Sequence, residues 1–133
     1  MRLILLSALL LTACSREPQA PSGVAAGIFS GGGRDRLCVA GEGDRQRAGL
    51  IVYAASGDSN CSASGTIQSG ALVPKGDGEC RIPLGFEGDG VRIGSVPKAC
   101  AYYCGPGAAL EGKAFRKTDA STPALDLAGD RLC

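Results

Sequence analysis

Short apolar runs alternating with glycine-rich polar turns set the pattern of this chain from residue 36 to residue 96. Runs of roughly four to eight residues bounded by Gly, Asp, Asn and Ser read as strands, because a strand needs only a period of two whereas a helix needs a longer 3.6-residue rhythm. The pattern predicts strands at Arg36–Ala40 (RLCVA), Ala48–Ala54 (AGLIVYA), Cys61–Gln68 (CSASGTIQ), Ala71–Pro74 (ALVP), Cys80–Glu87 (CRIPLGFE) and Val91–Val96 (VRIGSV). Between them stand Gly41-Glu42-Gly43-Asp44, Gly57-Asp58-Ser59-Asn60, Ser69-Gly70, Gly76-Asp77-Gly78-Glu79 and Gly88-Asp89-Gly90. Glycines reach the backbone angles of tight turns, and Asp and Asn side chains bond their own backbone there. Ala48–Ala54 is the most apolar run and is expected to be central. Ile28 and Phe29 are candidates for an earlier strand.

Two of these units repeat: GDSNC at 57–61 matches GDGEC at 76–80, an offset of 19 residues. In each copy a glycine follows the cysteine (Gly65, Gly85) and a second glycine comes later (Gly70, Gly90). Each copy reads as a β-hairpin entered through an Asp-containing turn, and successive hairpins make a meander. The expected fold class is therefore mainly β: an antiparallel meander forming a small sandwich or barrel, with one short helix and up to three disulfides. The helix is predicted at Pro97–Cys104, because Pro suits a first helical position and Gly105-Pro106 makes a stop. On an α-helix Cys100 and Cys104 share one face, so they are expected to staple the helix to the sheet and not to bridge each other. Ala108–Lys117 is expected to be a last hairpin or strand with Phe115 inward. Thr118–Cys133 reads as a polar tail with a weakly helical stretch at Pro123–Ala128.

The N-terminus follows a different pattern. Met1-Arg2 leads into apolar Leu3–Leu11, and Thr12-Ala13-Cys14 follows. One basic residue, a short apolar core and a small-residue cleavage site make a secretory signal. The core is too short to cross a bilayer, which takes about 20 apolar residues. Leu11-Thr12-Ala13-Cys14 resembles the lipobox of bacterial lipoproteins, and the resemblance covers residues 1–14 only. It implies cleavage between Ala13 and Cys14, a thioether-linked lipid on Cys14 and acylation of the new N-terminus. Because Ser15 is not Asp, it also implies sorting to the periplasmic face of the outer membrane in a two-membrane bacterium. Two or three acyl chains suffice for stable anchoring, since each buried CH₂ contributes ~0.8 kcal/mol. The expected organisation is a signal peptide at 1–13, a lipidated cysteine and flexible tether at 14–33, a disulfide-stapled β domain at 34–118, and a tail at 119–133 pinned by Cys133.

Composition narrows the function. The 14 basic and 13 acidic side chains nearly cancel, and Arg2 leaves with the signal, so the exported chain has no net field for nucleic acid or an anionic lipid surface. Arg34/Arg36 and Arg45/Arg47 are interrupted by Asp35 and Asp44 and read as solvated loop charge. With 21 glycines, three Phe, three Tyr and no Trp, the chain builds a thin core at a high entropic cost. Cysteine supplies the remedy. Beyond Cys14 stand Cys38, Cys61, Cys80, Cys100, Cys104 and Cys133, an even set that in an exported chain reads as disulfides, each contributing ~2–4 kcal/mol. Their connectivity is open at this level. Zinc sites want a second close cysteine pair or histidines; Cys100-x₃-Cys104 is the one close pair and the chain has no His, so neither metal nor cofactor is expected beyond the lipid on Cys14.

Catalytic chemistry finds little footing. A serine triad lacks its histidine base, and Ser–Lys chemistry on Lys75, Lys98, Lys113 or Lys117 is not assigned. Glu42, Glu79, Glu87 and Glu111 are carboxylates beside glycine in turns. Asp58 with Asn60, and Asp77 with Glu79, lack the regular spacing of a calcium loop. Gly31-Gly32-Gly33 lacks the Lys-Ser/Thr of a phosphate loop. The expected function is that of a lipid-anchored cell-envelope protein with a structural or binding role, not an enzyme. Its partners would be the membrane through the anchor and an envelope protein or wall component, with no nucleic acid. The alternatives are a periplasmic inhibitor of a wall-degrading enzyme and a small carboxylate-dependent hydrolase, which requires a cleft with two convergent carboxylates.

Overall fold

Alternate side chains of the apolar runs converge on one interior, and that convergence closes the sheet. A computed structural model describes residues 24–119, 121 and 123–133, so Cys14 and the signal segment lie outside the described residues. The strands are β1 Gly27–Ser30, β2 Arg36–Ala40, β3 Arg47–Tyr53, β4 Asn60–Gln68, β5 Ala71–Pro74, β6 Ile82–Glu87, β7 Gly90–Ile93 and β8 Ala114–Lys117. Each pairs antiparallel with the next, and β1 pairs with β8 through Phe29 opposite Lys117 and Ser30 opposite Arg116. The meander is thus a closed eight-stranded barrel and not a sandwich. Closure leaves no sheet edge to pair with another chain.

Eight strands enclose a space just wide enough for side chains to fill. Phe29, Leu37, Leu50, Leu72, Ile82 and Phe115 fill it, with Ala48 and Ala63 at crowded positions. The turns have local causes. Ser69 at φ 49° and Gly70 at φ 74° are both left-handed, as the hairpin turn between β4 and β5 requires. A Cβ on Gly65 would land on the carbonyl oxygen of Val73, so this tight pair of strands admits only glycine there. The repeated units become the hairpins β4–β5 and β6–β7. In the second copy Asp77 Oδ1 accepts the N–H groups of Glu79 at 3.1 Å and Cys80 at 3.3 Å. The first copy differs: the Asp58 N–H donates to Ser56 Oγ at 3.4 Å.

Three sequence expectations change. The predicted α-helix is a 3₁₀ helix over Lys98–Tyr103, with extended backbone at both Pro97 and Cys104, and a second short 3₁₀ helix lies at Gly43–Arg45. Cys104 leaves the helix because it bridges Cys61 as a strand-like partner. With three residues per turn, Cys100 and Cys104 no longer share a face. The expected helical stretch at Pro123–Ala128 is instead a turn. Asp126 Oδ1 accepts the N–H groups of Ala128 at 2.8 Å and Asp130 at 2.9 Å, and Gly129 takes φ 87°. Finally, β1 lies inside the segment read as tether, its short Gly27–Ser30 run completing the barrel.

The tail is a layer, not a loose end. β3 is buried on both faces: Ala48, Leu50 and Val52 point inward, while Ile51 is covered from outside by Ala124 and Leu132. The disulfide Cys38–Cys133 clamps the last residue to β2. Gly49, opposite Cys38 on β3, permits this contact, because a Cβ there would overlap the Leu132 carbonyl.

Candidate functional site

Up-and-down connectivity gives the barrel two unlike ends. The β1–β2, β3–β4, β5–β6 and β7–β8 connections gather at one end, and the chain enters β1 and leaves β8 at the other. The longest connection, residues 94–113 between β7 and β8, folds over the first end as a cap. Cys100 and Leu110 point from it into the core, 1 % and 3 % exposed. Two disulfides hold it: Cys80–Cys100 to the start of β6 and Cys61–Cys104 to β4. The Gly105 N–H donates to the Asn60 carbonyl at 2.8 Å, and Ser59 Oγ donates to the carbonyl of Pro106.

The cap presents aromatic and apolar surface. Ser95–Leu110 contains one charged residue, Lys98. Pro97, Ala101, Tyr102, Pro106 and Ala109 are exposed, Tyr102 to 87 %. Tyr102 meets Tyr103 edge to face at 5.3 Å between ring centroids. Tyr103 Oη donates to Asp77 Oδ2 at 2.9 Å, linking the cap to the β5–β6 turn. That bond, with the Cys80 N–H, holds the Asp77 carboxyl below its ordinary range. Burial, followed by the bond to Asp77, pushes the Tyr103 phenol up.

Neighbouring loops are tied in as well. The Arg34 guanidinium sits 3.9 Å from the centre of the Tyr53 ring, a cation–π contact. Asp35, read from sequence as an interruption of solvated loop charge, is only 5 % exposed. It accepts the Tyr53 N–H at 2.8 Å and pairs with Lys113 Nζ at 3.6 Å, joining the β1–β2 loop to the base of the cap.

At the other end, buried Gln46 acts as a strand partner for Val24. Its Oε1 accepts the Val24 N–H at 2.8 Å and its Nε2 donates to the Val24 carbonyl at 2.6 Å. The N-terminal segment is therefore fixed at the end opposite the cap.

The cysteines read as disulfide candidates from sequence are all paired, and both repeat cysteines, Cys61 and Cys80, join the cap. Glu42, Glu79 and Glu111 are exposed on three different connections and Glu87 at the end of β6, Glu42 and Glu87 at the entry end and Glu79 and Glu111 at the cap end. Ser95 and Lys98 have a Ser-x-x-Lys spacing that the sequence analysis left unassigned; both are exposed, and extended Pro97 keeps them off a common helical turn. Among the described residues no group of three or more His, Cys, Asp or Glu is placed to hold a metal, and no helix is long and apolar enough to cross a membrane. What sequence reasoning missed is the exposed apolar surface of the cap. Its signal was present as the stretch Ser95–Leu110, nearly free of charge around Cys100, Cys104 and Gly105-Pro106. Compared with known proteins, the chain matches no family model, no curated protein and no solved structure.

Proposed function

We propose that this chain is a lipid-anchored cell-envelope protein whose barrel presents the stapled cap to a protein partner. The observation that carries the reading is Tyr102, an almost fully exposed aromatic on a short helix fastened by two disulfides. Tyrosine contributes large contact area at low conformational-entropy cost and is enriched at energetic centres of interfaces. A loop already rigid loses little entropy on binding. The polarity of the barrel supports the same reading: a lipid on Cys14 precedes Val24, and Val24 is fixed at the end opposite the cap, so the cap faces away from the anchoring membrane. Crosslinking in the native envelope tests this. The wild-type chain should capture a discrete partner that Tyr102→Ala loses while remaining folded and membrane-bound. Equal capture by the variant would move the binding surface elsewhere. A captured enzyme that cleaves wall glycan, and is slowed by the purified chain, would specify the inhibitor form of the reading.

A further inference from the structure

The outer face of β6, β7 and β8 is built unlike the rest of the barrel. It carries a groove of about 1130 Å³ that runs from Ser30 and Gly31 across these strands to Ser69 and Gly70. Register sets its floor. On β7, Arg92 lies opposite Gly85 of β6 and Ala114 of β8; Arg116 of β8 lies opposite Gly90 of β7 and Ser30 of β1. Each arginine thus rises from a floor almost without side chains. The two are diagonal neighbours on adjacent strands, on the order of 7 Å apart at the backbone. Arg92 Nη1 donates to the Gly112 carbonyl at 3.2 Å. The sole ion pair among the described residues is Lys113–Asp35, so neither Arg92 nor Arg116 has a carboxylate partner there. Glu87 and Asp89 line the groove at the β6–β7 turn, its acidic rim.

Gly85, at the centre of this face, has no structural reason of the kind found elsewhere, whereas Gly90 is closer packed, a Cβ there meeting the Glu87 carbonyl at 3.3 Å. A Cβ on Gly49 or Gly65 would strike backbone, whereas a Cβ on Gly85 would meet nothing closer than the Arg92 carbonyl at 3.4 Å, an ordinary contact. Strand glycines mark bulges, bends at barrel corners or places where a ligand or another backbone approaches closely, and Gly85 is regularly paired with Arg92 with no bulge. Guanidinium groups hold carboxylate and phosphate oxygens in paired, charge-assisted hydrogen bonds. The groove exceeds the size of a single oxyanion and lies just above the range of small-ligand sites, roughly 300–1,000 Å³. Bare backbone leaves room for a sugar ring, and the Ser30 and Ser69 side chains that line the groove offer hydroxyls to bond its own. We infer that the β6–β8 groove binds an anionic glycan, with Arg92 and Arg116 gripping its oxyanion and the Gly85–Gly90 floor receiving a sugar ring. The site touches the base of the cap at Gly94 and Gly112, but Tyr102 is not among the residues that line it.

The test is amide NMR on the full-length lipidated chain in detergent micelles, with three probes: a neutral N-acetylglucosamine oligosaccharide, a wall fragment bearing the muramic carboxylate, and a glucosamine disaccharide phosphate of the lipid-headgroup type. The acidic probes should shift the amides of Gly85 and Gly90 and bind about tenfold or more tighter than the neutral one, the gain from a charge-assisted pair. Whichever acidic probe binds tighter identifies wall or lipid as the source. The double variant R92Q/R116Q should lose that preference, and Gly85→Val should weaken binding of both acidic probes while keeping the native spectrum. Tyr102→Ala should change none of these affinities. Equal binding of the neutral probe, equal binding of polyglutamate, unchanged affinity in R92Q/R116Q, or no shift with any probe would each overturn the inference.

Discussion

Gly49 illustrates how one missing Cβ organises a whole layer. The Leu132 carbonyl occupies the space a side chain would take, so Gly49→Ala forces the tail outward or the strand inward. Overpacking of this kind costs about 1–3 kcal/mol. The expected outcome is a lowered melting temperature together with faster proteolysis near exposed Leu127, while a variant as protease-resistant as wild type would show that the tail adapts. Asp77 and Tyr103 act on each other through one bond and should set the pH limits of the cap. The lowered Asp77 carboxyl contributes stability above its ordinary value of 3.8, lost as pH falls through the lowered value. The raised Tyr103 phenol contributes stability below its ordinary value of 10.0, lost as pH rises through the raised one. Tyr103→Phe should flatten both flanks of the melting temperature plotted against pH, and an unaltered profile would disprove the coupling.

At the scale of elements, a six-residue 3₁₀ helix cannot stand by itself, since even α-helices of about 12 residues are marginal in water. Its position comes from the two staples. The Cys80–Cys100 bridge spans 20 residues, for which chain entropy gives about 3 kcal/mol. Replacing both cysteines by Ser should lower the melting temperature by roughly 12–24 °C, taking 4–8 °C per kcal/mol for a small domain. It should also broaden the Tyr102 and Tyr103 ring resonances. Tyr102→Ala touches little and should shift stability by less than about 0.5 kcal/mol. The pair of variants separates a cap that folds from a cap that binds.

For the molecule as a whole, the barrel needs its tail. Cys38–Cys133 spans 95 residues, where the entropic ceiling is ~4.7 kcal/mol. Deleting residues 119–133 removes that constraint and uncovers the outer apolar cluster of Cys38 and Ile51, with Ile28 and Tyr53 beside it. The truncated chain should melt well below wild type and bind a hydrophobic dye; a truncated chain as stable as the parent would show that the tail is ornamental. Anchoring is a separate property: Cys14→Ala should abolish incorporation of a fatty-acid probe and release the chain from membranes without changing its melting temperature.

What could be read from the residues was what depends on neighbours along the chain. The strands Arg36–Ala40 and Ala71–Pro74 appear with the predicted bounds, and Ser69-Gly70 turns where expected, Gly70 taking its left-handed angle freely. Cys61 and Cys80 open matching hairpins, and the even set of six cysteines beyond Cys14 announces disulfides. The partners of those cysteines were not readable, because Cys38 meets Cys133 across 95 residues and only register brings them together. β1 was legible only as Ile28 and Phe29, inside a stretch read as tether, because GIFS is glycine-flanked and is held by pairing with β2 and β8 and not by its own propensity. The cap was mistaken for an α-helix because Pro97 and Gly105-Pro106 are honest local signals, overridden when Cys104 was drawn into extended pairing with Cys61. The sequence by itself determined the strand periodicity, the turns and the presence of covalent staples, all matters of local backbone preference. Only the tertiary structure decided closure into a barrel, the burial of Asp35, the tail as a second layer and the exposure of Tyr102, because each depends on which distant strands share a register.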